Sequence, residues 1–227
     1  MAEDTGIQIV RVASLVWEDR VNVDGWPSRA GLYYEDRERE LCLRLIHYPV
    51  GSTEPRHVHA GTHATTVLKG RAIVDGLTLG PLDVVLGPGG EPHGPLHYPD
   101  GCQLFSAFQG SYYHSEVREL SGERNYRLIR SAELPWVARP GGCRVKTLVE
   151  RGAGRLLLEA RSYACGAEIA RDADPGFESA LVVEGGVEVA AEALGAWDFL
   201  RLVEPARHAA IRFPRGATLL ALAMRPQ

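Results

Sequence analysis

Five of the eight histidines, at positions 57, 59, 63, 93 and 97, fall within a short stretch of a 227-residue chain. Three of them lie in Gly51-Ser-Thr-Glu-Pro-Arg-His57-Val-His59-Ala-Gly-Thr-His63, and His93 follows the turn Pro88-Gly89-Gly90. Residues i and i+2 of a strand project from the same face, so His57 and His59 point together. The turn at Gly61 lets His63 fold back beside them, and His93 is expected on the facing hairpin. Imidazoles converging from adjacent antiparallel strands are ligands for a divalent transition metal, with bonds of about 2.0–2.1 Å. A single histidine is more often a surface or core residue. Four at this spacing read as a metal site: His57, His59, His63 and His93.

Short strands must carry these groups. Runs such as Leu41–Ile46, Thr65–Leu68, Asp83–Leu86, Cys102–Phe105 and Arg155–Glu159 are separated by turn signals about every ten residues, for example Asp75-Gly76 and Pro99-Asp100-Gly101. That rhythm predicts an all-β antiparallel sandwich or barrel. Sliding the chain by 115 superposes Gly51 on Gly166, Gly70 on Gly185, Asp83 on Asp198, His93 on His208 and Gly101 on Gly216. In all, 13 identities fall without a gap between 51–108 and 166–223. Six of them are Gly or Pro, where backbone geometry dictates the residue. The chain is thus expected to be an internal duplication, with domains at 1–118 and 119–227. Alternation places Leu41, Leu43, Leu45 and His47 on the buried face of their strand, and Arg44, which aligns with Glu159, on the other.

Composition excludes several classes. With 25 Lys+Arg against 29 Asp+Glu, a net charge of −4 and no basic stripe, nucleic acid is a poor partner. No apolar run is long enough for a membrane span. The start of the chain lacks a signal-peptide layout, and the four cysteines form no CxxC pair. A cytoplasmic protein is expected, with no membrane or nucleic-acid partner.

The pattern G-x5-H-x-H-x3-[E/H]-x6-G over Gly51–Gly70, followed by G-x7-P-x-G-x2-H over Gly80–His93, resembles the two motifs of the cupin superfamily. The resemblance implies two tandem jelly-roll β-barrels, a bicupin, with one divalent metal in the first. His57, His59 and His93 match the family's histidine ligands, and His63 stands where most members have glutamate. His97 stands where the second motif often has asparagine and is not counted as a ligand, four being in place already. A narrower similarity, over Gly87–Phe105, is to the cupin domain of ChrR-type anti-sigma factors. Their amino-terminal zinc motif is missing here, so an anti-sigma role is not expected.

In the second copy the equivalent positions are Asp172, Asp174, Glu178 and His208. Three carboxylates and an imidazole could hold a hard cation. The motif's proline and second glycine have become Val203 and Pro205, however, and a degenerate site is expected.

Four neutral imidazoles would leave Fe²⁺ or Zn²⁺ (with Mn²⁺ or Ni²⁺ as further options) its full charge, suiting a small anionic or chelating organic substrate. The expected function is a non-haem, metal-dependent dioxygenase-type enzyme. The rival is a non-catalytic metal-binding sensor of a ligand or oxidant, motivated by the ChrR-like stretch and Cys102. Residues that could orient a ligand or substrate from behind are His47, His97, Tyr48, Tyr98 and Gln103. A homodimer is compatible with either reading.

Overall fold

The structure, a computed structural model, describes residues 6–21, 27–110, 114–116, 126–150, 156–203 and 208–224. Among them are no α-helices, only strands and two 3₁₀ turns, Val12–Ser14 and Ser131–Glu133. Among the described residues no helix is long and apolar enough to cross a membrane.

The chain divides into two compact units, Val16–Glu133 and a second formed by Met1–Leu15 together with Leu134–Gln227. In the first, a seven-stranded sheet runs in the order Arg127–Ile129, Val84–Gly87, Thr62–Gly70, Cys102–Gln109, Leu41–Tyr48, Pro27–Asp36, Trp17–Val21. In the second, the order is Ile7–Val10, Phe199–Leu202, Ser179–Gly185, Ala217–Met224, Leu156–Tyr163, Cys143–Val149, Val137–Arg139. Each unit adds a four-stranded sheet. Its order is Ser52–Glu54, Leu96–Tyr98, Ala72–Val74, Leu77–Leu79 in the first unit. In the second it is Ala167–Ile169, Ile211–Phe213, Val187–Val189, Glu192–Leu194. The strands of these sheets correspond one to one; the first unit alone has, among the described residues, a further pair, His57–His59 with His114–Glu116, and every pairing is antiparallel.

The cores correspond as well. In the first unit Tyr48, Val67, Ala72, Val74, Leu79, Val85, Leu96, Tyr98, Cys102 and Leu104 cluster. Their partners at an offset of 115 are Tyr163, Val182, Val187, Val189, Leu194, Leu200, Ile211, Phe213, Ala217 and Leu219, all in the other core. Tyr48 stacks on Tyr98 with ring centroids 4.2 Å apart, and Tyr163 on Phe213 at 3.9 Å. Each such large side chain contributes roughly 1.5–3 kcal/mol by leaving water. The repeated glycines have a steric reason. A Cβ on Gly70, at φ +85°, would lie 2.1 Å from the Gly101 carbonyl oxygen, and one on Gly185 would lie 2.2 Å from that of Gly216.

The unit division differs from the expected one in chain order. The 118/119 boundary itself falls outside the described residues. The strand Ile7–Val10 pairs with Phe199–Leu202, whereas Arg127–Ile129 pairs with Val84–Leu86. One aspartate in each unit ties down the turn that follows. Asp198 accepts hydrogen bonds from Val12 N (2.9 Å), Arg11 Nη1 (3.0 Å) and Gly195 N (3.0 Å). Asp83 accepts them from Ser131 N (2.7 Å) and Gly80 N (2.9 Å). The signal is visible in the chain at a different offset, 119, where Arg11, Ala13, Leu15 and Trp17 match Arg130, Ala132, Leu134 and Trp136. A search at 115 alone misses it.

The strand Leu41–Tyr48 is buried on both faces. Leu41, Leu43 and Leu45 are buried, but so is Arg44, which alternation had placed on the exposed side. Arg44 lines a cavity together with Ile46 and Tyr48.

Candidate metal centre

The strand His57–His59 puts its two imidazoles on one side, and His57 and His93 exchange backbone hydrogen bonds (His57 N to His93 O 3.0 Å, His93 N to His57 O 2.9 Å). This bridge brings the two halves of the motif together. His57, His59 and His93 are buried, each offering one ligand nitrogen within 4.8 Å of the others; among the described residues no other cluster of His, Cys, Asp or Glu does this. The His57 and His59 Nε2 atoms lie 3.1 Å apart. Two nitrogens about 2.1 Å from one ion, at right angles, would stand about 3 Å apart. Backbone carbonyls hold the far nitrogens: Pro55 O lies 2.9 Å from His57 Nδ1 and Glu91 O 3.3 Å from His93 Nδ1. An Nδ1–H donated to a carbonyl leaves the Nε2 lone pair facing the site.

His63 lies alongside. Its ring centroid is 4.8 Å from that of His59 and 4.5 Å from that of His93. Nδ1 meets Thr65 Oγ1 at 3.2 Å, while Nε2 is buried and makes no hydrogen bond among the described residues. The ring occupies space that only glycine leaves, since a Cβ on Gly87 would sit 2.2 Å from His63 Nε2. Burial, then repulsion from the neighbouring imidazoles, holds His63 well below the ordinary histidine range. Burial and His57 push His93 down to about 4. Both are therefore neutral at neutral pH, the form that binds metal.

A carboxylate stands beside the imidazoles, contrary to the expectation of an all-neutral set. Glu54 Oε1 lies 3.7 Å from His57 Nε2, and Tyr98 donates its hydroxyl to Glu54 Oε2 at 3.0 Å. Burial pushes this carboxyl up, but the His57 ring and the Tyr48 hydroxyl, then His93 and Tyr98, outweigh it and hold it below the usual range. Burial, reinforced by Glu54, raises both phenols well above 10, so they remain donors. Glu54 precedes the HxH pair by three residues, and a search for an acid after the pair passes over it.

Of the residues expected behind the ligands, Tyr48 and Tyr98 reach the site through Glu54. The other three do not line the cavity. His47 and Gln103 bond to each other (2.8 Å), and His97 bonds to Thr53 (3.1 Å). The cavity, about 110 Å³, is lined by the triad with Arg44, Glu54 and Thr65 among others. Cys102 is buried, its thiol pushed up to about 12 by desolvation, which removes the accessible thiol on which the sensor reading leaned.

Among its described residues the second unit holds no such arrangement. A backbone carbonyl oxygen lies 2.7 Å from each His208 nitrogen, Ala209 O from Nδ1 and Ala173 O from Nε2. Asp174 caps Gly176 N (2.8 Å), Glu178 accepts from Met224 N (2.9 Å), and Asp172 is exposed. The depression beside them, about 530 Å³, contains the Arg161 guanidinium. Its Nη2 lies 2.7 Å from both Glu159 Oε2 and Gly176 O, Nη1 reaches Pro175 O, and the group sits 5.4 Å from the Phe177 ring centroid.

No protein-family model matches the chain, and no curated protein matches it. Solved structures do match in fold. A protein of Nostoc punctiforme PCC 73102 described as a "putative dioxygenase" superposes with a TM-score of 0.78 at 12% identity, over 98% of this chain and 83% of that one. The Lactobacillus farciminis oxalate decarboxylase formate complex gives 0.67 at 11%, over 96% and 86%. The Bacillus subtilis oxalate decarboxylase, described for its Mn(II) centres, gives 0.66 at 14%, over 96% and 77%. Identities this low show the fold alone, and that fold is the cupin one. A cupin-fold protein with a buried histidine triad able to hold a metal is the class that fold and site define.

Proposed function

We propose that the chain is a bicupin produced by internal duplication, in which the Val16–Glu133 unit holds one divalent transition metal and acts as a non-haem, dioxygenase-type enzyme on a small anionic or chelating organic molecule. The observation that carries this reading is the convergence of three buried imidazoles in one cavity. The matched sheet orders and cores support the duplication.

His63 is the fourth ligand in this reading. A buried ring nitrogen without a hydrogen bond is costly, and a metal would satisfy it. Imidazole donors suit Fe²⁺ and Zn²⁺, and the nearby Glu54 carboxylate extends the range to Mn²⁺. The bound metal would supply Lewis acidity and open positions for a chelating group. The protein's own contribution is to hold His63 and His93 neutral and to keep Glu54 ionised between two phenols. The second unit, on this reading, carries a degenerate site and binds no metal. We place the protein in the cytoplasm.

Metal analysis of the full chain, purified without a chelating tag, tests the assignment. Near one equivalent per chain is expected, and less than a tenth of an equivalent would overturn it. Oxygen uptake by the Fe²⁺-loaded protein against a panel of diketones and hydroxy-ketones tests the reaction class.

A further inference from the structure

Tyr98 and Phe213 occupy equivalent places in the two units, and only a hydroxyl distinguishes them. Both rings are fully buried, and each stacks on a tyrosine of its own unit, Tyr48 at 4.2 Å and Tyr163 at 3.9 Å. The core therefore needs the ring and not the oxygen. A buried hydroxyl is costly unless it is hydrogen-bonded, and Tyr98 donates its own to Glu54 Oε2 at 3.0 Å. The position equivalent to Glu54 is Ile169, which packs against the second core. Carboxylate and phenol are thus present together in the unit with the imidazole triad and absent together from the other.

The carboxylate lines the same cavity as His57, His59 and His93. Its Oε1 lies 3.7 Å from His57 Nε2, beyond hydrogen-bond length, and Glu54 is not one of the groups whose ligand atoms all lie within 4.8 Å of one another. Glu54 therefore stands beside the ligand cluster rather than within it, with one oxygen held by Tyr98 and the other on the side of His57.

We propose that Glu54 is the hydrogen-bond acceptor for the molecule in the metal's open position, with Tyr98 as its positioning residue, and that the centre thereby selects a protic ligand, one presenting an O–H or N–H next to its coordinating atom. A carboxylate facing such a donor makes a charge-assisted hydrogen bond, whereas an aprotic ligand would desolvate the oxygen without replacing its partner. This deepens the metal-binding reading and rests on it.

The test uses the full chain loaded with Co²⁺, whose visible spectrum reports ligand binding. Pyrazole and 1-methylpyrazole each coordinate through one ring nitrogen, and only pyrazole carries an N–H beside it. The wild type should bind pyrazole at least tenfold more tightly. In Glu54→Gln the amide oxygen can stay on the Tyr98 hydroxyl, which turns the NH₂ toward the ligand. The preference should then fall below threefold with Co²⁺ content unchanged, which separates the N–H from the bulk of the methyl group. Tyr98→Phe, whose packing Phe213 already exemplifies, should lower the preference at least threefold, and it decides alone if Glu54→Gln does not fold. A preference that survives the substitutions overturns the proposal. So does loss of Co²⁺ in Glu54→Gln, which would make Glu54 a metal ligand. A wild type that takes up no Co²⁺ ends the metal reading and this proposal with it, whereas Co²⁺ uptake without a preference for pyrazole ends this proposal alone.

Discussion

The two units are built on the same strand order and the same ten core positions, yet they treat the same place in opposite ways. In the first, imidazole nitrogens are left facing one another, 3.1 Å apart between His57 and His59, and His63 keeps a buried nitrogen without a hydrogen bond. In the second, the corresponding histidine, His208, has a backbone carbonyl oxygen 2.7 Å from each ring nitrogen, and the guanidinium of Arg161 is held by Glu159, Pro175 and Gly176. One unit presents nitrogens able to hold a cation, and the other carries a cation covalently. Small changes separate them. Gly87, which makes room for the His63 ring, corresponds to Leu202, and Ile46 corresponds to Arg161. A repeated frame keeps turns and core because backbone sterics and packing demand them; nitrogens left free to hold a metal are a separate property.

The largest expected effect separates the units by metal content. His57→Ala should lose most of the bound metal, and Asp172→Ala should lose none that elemental analysis can detect. Equal losses would mean that the second unit binds metal as well.

Next is the internal cation. Arg161→Met leaves Glu159 buried without its partner and should destabilise the protein by about 3 kcal/mol, read from urea midpoints, with metal content unchanged. A loss below about 0.5 kcal/mol would reduce Arg161 to a surface residue and remove the contrast.

The aspartates that tie down the arms should behave alike. Asp83→Ala and Asp198→Ala each release backbone N–H groups (Gly80 and Ser131; Gly195 and Val12) and should each cost about 1–3 kcal/mol in chemical denaturation. A cost in one and none in the other would show that the symmetry of the frame is not a symmetry of its energetics.

The smallest effect is on pH. Burial lowers His93 from the ordinary 6.5 to about 4, and His63 moves in the same direction. Between those values the unfolded chain binds a proton that the folded chain refuses. Stability of the metal-free protein is therefore complete above about 6.5 and falls as pH drops toward about 4. Urea midpoints at about pH 7.5 and about pH 5 should differ less in His93→Gln than in the wild type. An unchanged difference would assign the acid sensitivity elsewhere.

Much of the frame and part of the site were legible beforehand. The offset of 115 carried the strand correspondence, because Gly70 and Gly185 each abut a backbone carbonyl that no Cβ could approach. His57, His59 and His93 could be read from the i, i+2 spacing and the following turn. The arms were not found, since their match lies at another offset. Glu54 was missed because its carboxylate enters from the strand before the histidines, through contacts with Tyr98 and His57. Arg44 was misplaced because alternation distinguishes two faces of a strand but does not say that both are buried.

The sequence by itself determined the all-β class, the repeated turns and the histidines able to hold a metal, because these follow from periodicity and local backbone sterics. Only the tertiary structure decided which nitrogens remain facing the cavity, which carboxylate stands beside them and where the two charged arginines lie. Those outcomes depend on pairing across strands distant in the chain, where a few ångströms separate a ligand from a satisfied hydrogen bond.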